Sequence, residues 1–118
     1  MSGILAALVG ARSAGVTLAP FPGGTTSATS PMFSATATVG FSGSGQIRLD
    51  NFTATGGAMY YSNNGGVFTA IVGGETLTLV NGGTLQFRYN AASPNNAGLD
   101  IYDITAGVYL GSVSFTKT

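Results

Sequence analysis

Residues 73–92 read GGETLTLVNGGTLQFRYNAA. Leu77 and Leu79 alternate with Thr76 and Thr78, and Leu85, Phe87 and Tyr89 alternate with Gln86 and Arg88. A period of two gives a strand one apolar face for the core and one polar face for solvent. The Gly73-Gly74 and Gly82-Gly83 pairs that punctuate it suit tight hairpin turns, where both central positions take positive φ at little steric cost. With Val67–Val72 ahead of them, these segments predict a three-stranded antiparallel meander over 67–72, 75–80 and 84–89.

The same period extends outward. Phe33, Ala35, Ala37, Val39 and Phe41 alternate with Ser34, Thr36, Thr38 and Gly40, which predicts one strand over 33–41 with the phenylalanines in the core. Ile47 and Leu49 against Gln46, Arg48 and Asp50 predict another. Shorter strands follow over 52–55 and 58–62, ending at the turn Asn63-Asn64-Gly65-Gly66. The loop NAASPNNAG at 90–98 leads to strands over 99–105 and 108–116, in which Gly111 marks a bulge or a close backbone approach. About eight or nine short strands, with no helical pattern over 33–118, predict an all-β fold: an antiparallel β-sandwich or small barrel, immunoglobulin-like or jelly-roll-like. Parallel βαβ architectures and the nucleotide sites they carry are not expected.

Ahead of that domain, residues 1–32 read as an arm and a linker. Ile4, Leu5, Leu8 and Ala11 fall on one helical face, but two turns are too few to choose between a short helix and an extended segment. PFPGGTTSATSP at 20–31 has no apolar period and reads as a linker. The apolar start is shorter than the roughly 20 residues of a bilayer span, and nothing before Ile4 is charged, so neither a membrane segment nor a secretory leader is expected.

Composition narrows the chemistry. The chain has 118 residues, of which 7% are charged; ordinary globular chains carry about 25%. There is no His, Cys or Trp, which removes disulfides, thiolate and imidazole catalysis and zinc sites of the Cys/His type. Zero net charge and the lack of any basic cluster argue against nucleic acid as a partner. Residues 13–47 carry no charge at all, and mean hydropathy is +0.34. Apolar surface on that scale is best hidden between subunits, so Ile4, Leu5, Leu8 and Val9 are the expected assembly contacts; the alternative is that the arm folds back and completes its own sandwich.

The four acids are Asp50, Glu75, Asp100 and Asp103. Asp100 and Asp103, three apart in a strand, point to opposite faces and make poor acid–base partners. No catalytic residue, cofactor or resident metal is expected. Asn95, Asn96, Asp100 and Asp103 offer oxygen ligands for calcium, but without a recognised loop spacing the favoured reading is that they are turn formers. No glycine pair is followed by a Lys and a helix, so no phosphate loop is expected. The sequon Asn51-Phe52-Thr53 matters only in a eukaryotic secreted protein. Tyr60-Tyr61 sends one ring to each side of its strand, and with Tyr89 and Tyr102 it supplies the candidate contacts for a cell-surface glycan.

An apolar start in MSGILAALVGAR, a Thr/Ser/Pro/Gly linker and a glycine-punctuated β-domain resemble the small structural proteins of tailed bacteriophage virions: head decoration proteins, head fibres, and neck or tail accessory subunits. The likeness is of layout across the whole chain, with no motif to carry residue by residue. It implies a non-enzymatic subunit, assembled in the host cytoplasm into the virion, whose partners are copies of itself, as in a trimer, and other virion proteins. The alternative is a carbohydrate- or receptor-binding module.

Overall fold

The computed structural model describes residues 15–118. They form strands β1 (Thr17–Ala19), β2 (Gly24–Ser27), β3 (Met32–Phe33), β4 (Ala37–Gly40), β5 (Gln46–Ala54), β6 (Gly57–Asn63), β7 (Thr69–Ala70), β8 (Thr76–Thr78), β9 (Thr84–Ala91), β10 (Asn95–Asp103) and β11 (Val108–Lys117), with no helix among the described residues. One sheet runs β1-β4-β9-β6-β7, with β3 also paired to β9; the second runs β2-β11-β10-β5-β8. The pairs are antiparallel except β2–β11, which is parallel. The all-β, sandwich-like expectation holds in this form.

Alternation builds the core. Leu85, Phe87, Tyr89 and Ala91 of β9 face Ala97, Leu99 and Ile101 of β10 and Val113 and Phe115 of β11, all buried. The Tyr89 and Phe115 rings meet between the sheets, with centroids 5.9 Å apart. Ile47, Leu49, Val39, Met59 and Met32 complete this apolar layer.

Four local readings are corrected. The segments at 67–89 do not form a meander: β7 pairs with β6 in the first sheet, β8 with β5 in the second, and β9 returns to the first. The strand expected over 33–41 is two strands in different register, because Ser34–Thr36 inserts a step between them. Met32 and Ser34 are buried, then Ala37 and Val39, so parity changes and Phe33 turns outward. Ser34 is held by a reciprocal pair with Phe87: its N–H donates to the Phe87 carbonyl at 2.9 Å, and its Oγ accepts the Phe87 N–H at 2.9 Å. The loop expected at 90–98 shrinks to 92–94, with β9 and β10 running up to it.

The fourth concerns the stretch read as arm and linker. Residues 17–19 pair with β4, and residues 24–27 pair with β11. Pro20 and Pro31, each preceded by a cis peptide bond, bracket β2. Ile4, Leu5, Leu8 and Val9 lie outside the described residues.

Gly111 marks the expected bulge, and what approaches it closely is a side chain rather than a backbone. The β10–β11 register slips by one residue beside it, and the Phe21 ring lies where its Cβ would be, with Cζ 2.7 Å from that point.

Candidate functional site

The outer face of the first sheet carries one row of side chains across four strands. Register places Ala70 opposite Tyr60, Tyr60 opposite Arg88, and Arg88 opposite Phe33. Phe68, just ahead of β7, closes the group. Its ring meets Phe33 edge-on at 5.8 Å between centroids. The Arg88 guanidinium lies over two rings, 4.3 Å from the Tyr60 centroid and 4.7 Å from that of Phe68. Phe33 is 47% exposed and Val67, beside Phe68 in the chain, is 86% exposed. Arg88 Nε is buried without a hydrogen-bond partner among the described residues. The hairpin from β6 to β7 sets this geometry: Asn64 and Gly65 take φ of 54° and 71°, and Ser62 Oγ donates to the Gly66 carbonyl at 2.7 Å.

The outer face of the second sheet is polar. Asp50 and Asp100 are direct cross-strand partners on β5 and β10, an arrangement that repels unless donors intervene. They do intervene. Arg48 Nε donates to Asp50 at 2.7 Å. Asp100 accepts Ser112 Oγ at 2.6 Å and Asn51 Nδ2 at 2.8 Å. Asn51, at φ 52°, sits in a register shift of β5 that turns it to the same face as Asp50. The Ser112 hydroxyl, and then the Asn51 amide, hold Asp100 below the usual carboxylate range, which is the wrong direction for a general acid. Arg48, raised by its hydrogen bond to Asp50, lies 5.1 Å over the Tyr102 ring. Tyr109, directly opposite Tyr102, is 56% exposed and its hydroxyl shares a 2.6 Å bond with Ser112.

The four tyrosines expected at a glycan site do not converge. Tyr60 is on the outer face of the first sheet and Tyr102 on that of the second. Tyr61 points inward and packs against the core. Tyr89 is corrected outright: it is fully buried, because it shares the inward parity of Leu85 and Phe87, and its hydroxyl donates to the Thr55 carbonyl. The calcium set is likewise spread out. Asn95 and Asp103 occupy opposite ends of β10, about 26 Å apart at ~3.3 Å per residue, and Asp103 is buried away from Asp100. Among the described residues no cluster of three or more acids exists to hold a metal.

Sequence reading passed over Arg88, Phe68 and Tyr109. Only the outward position of Arg88, between inward Phe87 and Tyr89, was there to find. An open depression of about 660 Å³ beside Ser30, Gly57, Asn90 and Lys117 completes the surface; Lys117 Nζ there donates to the Ala28 carbonyl.

Set beside known protein families, curated proteins and solved structures, the chain matches none of them. Its site must therefore be read from its own geometry.

Proposed function

We propose that this chain is a non-enzymatic structural subunit of a larger particle, an immunoglobulin-like or jelly-roll-like sandwich that docks through the outer face of its first sheet. The observation that carries this reading is the row Tyr60, Arg88 and Phe33 with Phe68: partly exposed aromatic rings around an arginine, the residue types that dominate binding hot spots. Exposed Val67, Val72, Val80 and Val108 on a chain with little charge add to the case for burial in an assembly. A virion accessory role, as the layout resemblance implies, fits such a subunit, with Ile4, Leu5, Leu8 and Val9 supplying further apolar contact and copies of the chain or other virion proteins as partners. Its chemistry would be burial of apolar area at roughly 25 cal/mol per Å², repeated over many copies.

Gradient sedimentation of an extract from the source cells tests the reading. The full chain is expected in a high-mass fraction, and Phe33→Ser with Phe68→Ser is expected to release it. A wild-type chain found only at its own mass overturns the proposal.

A carbohydrate-binding module is the second reading, and one observation favours it. Tyr102 and exposed Tyr109 face each other beside Asp100 and Asn51 on an open sheet surface, which offers a ring for stacking next to acceptors and donors for hydroxyls. Glycan binding lost on Tyr109→Ala would support it; a blank glycan array would end it.

A further inference from the structure

The sequence has four acidic side chains, and all four are already engaged by groups of the same chain. Asp50 holds Arg48, the one ion pair among the described residues. Glu75 accepts the N–H groups of Val72 and Gly73 at 2.7 and 2.6 Å. Asp100 accepts Ser112 and Asn51. Asp103 accepts Val16, Thr105 and Ala106. Among the described residues Arg88 has no acid within ion-pair distance, and its buried Nε has no hydrogen-bond partner. Residues 1–14 contain no Asp or Glu, so they hold no acidic side chain for it.

We infer that the Arg88 face is a docking site for a different protein, one that lays a carboxylate side chain on the guanidinium and flanking apolar side chains on Phe33 and Phe68. This rests on the docking role proposed above and adds the identity of the partner. A second copy of the chain is a poorer occupant, since each of its four acids already accepts hydrogen bonds within its own fold and Asp103 is buried. A sugar acid fits less well than a peptide. The rings at this face include Phe33 and Phe68, which bear no hydroxyl, and neighbouring Gln86 Nε2 already donates to the Ser34 carbonyl, leaving little to grip hydroxyls. The planar guanidinium lies over the Tyr60 and Phe68 rings, and with its Nε buried it would meet a carboxylate through its Nη pair.

The test titrates the full chain, by NMR, with three probes: a capped peptide holding Asp between Leu and Phe, the same peptide with Asn in place of Asp, and a uronic-acid oligosaccharide. The Asp peptide is expected to shift the Arg88 Nε–Hε and Phe68 ring signals saturably, with the Asn peptide about tenfold weaker or worse. Arg88→Gln is expected to abolish the shifts, and Arg88→Lys to weaken binding by about tenfold, since an ammonium lacks the fork. Equal binding of the Asp and Asn peptides overturns the inference, as does unchanged binding by Arg88→Gln. Tighter binding of the oligosaccharide overturns it in favour of a glycan. Concentration-dependent self-association lost in Phe68→Ser overturns it in favour of a second copy. Failure of this inference is separable from failure of the docking role: Arg88→Gln that still sediments with the particle sinks only the former, whereas a wild-type chain that never sediments with one sinks only the latter.

Discussion

Asp103 Oδ2 accepts the backbone N–H of Val16 at 2.7 Å, a bond between residues 87 positions apart. Its Oδ1 accepts the N–H groups of Thr105 and Ala106 at 3.0 Å each. One buried carboxylate thus closes the turn after β10 and fixes the chain where it enters β1. Asp103→Ala leaves these donors without an acceptor and is expected to cost about 3 kcal/mol. Asp103→Asn, which keeps one acceptor oxygen, is expected to cost less. Urea midpoints at unchanged slope measure both.

Phe33 and Phe87 separate the two faces of the first sheet. Phe87→Ala empties a fully buried site and is expected to cost about 3–5 kcal/mol. Phe33→Ala removes a ring that is 47% exposed and is expected to cost under about 1 kcal/mol. Equal losses would mean that Phe33 is in the core after all, as the unbroken alternation of 33–41 suggests.

Glycines in this chain differ in what they permit. A Cβ on Gly57 would stand 1.8 Å from the Asn90 carbonyl oxygen on the facing strand. Only backbone movement relieves that, so Gly57→Ala is expected to break the β6–β9 pairing and lower the thermal midpoint sharply. Gly65 has nothing within 4 Å of its missing Cβ among the described residues. Its φ of 71° alone sets the cost of Gly65→Ala, about 1 kcal/mol.

Asp100 gives the fold a pH dependence of known sign. Hydrogen bonds from Ser112 and then Asn51 lower its folded pKa, so the folded chain binds that proton more weakly than the unfolded one. The stabilisation is present above the unfolded value, about pH 3.9, and is lost as pH falls through the lower folded value. Ser112→Ala is expected to flatten the acid limb of a stability-against-pH curve without changing its shape near neutrality. An identical acid limb in both proteins would exclude this account.

The alternation of Leu85, Phe87 and Tyr89 was legible because nothing interrupts β9, and it correctly orients Arg88 outward. Burial of Tyr89 follows from the same parity, although its hydroxyl had drawn attention as a surface group. Phe33 was misread because the step at Ser34–Thr36 leaves no mark on an alternating sequence; only Met32, apolar at the wrong parity, hints at it. Residues 20–31 have no apolar period, since β2 is an edge strand whose pairing runs through backbone groups. The switch of β7, β8 and β9 between sheets was invisible, because Gly-Gly turns permit a hairpin and a crossing alike. Arg88's lack of an acid emerged only once every other acid was seen to be engaged.

The parallel ladder between β2 and β11 has a consequence for biosynthesis. Residues 24–27 leave the ribosome long before residues 114–117, their only hydrogen-bonding strand among the described residues. Until β11 emerges, β2 is a nascent segment with its amides and carbonyls unclaimed, and the second sheet lacks one of its two edges. Assembly of that sheet therefore waits for β11, and a ribosome stalled anywhere before β11 carries a chain open to capture by chaperones or by another strand.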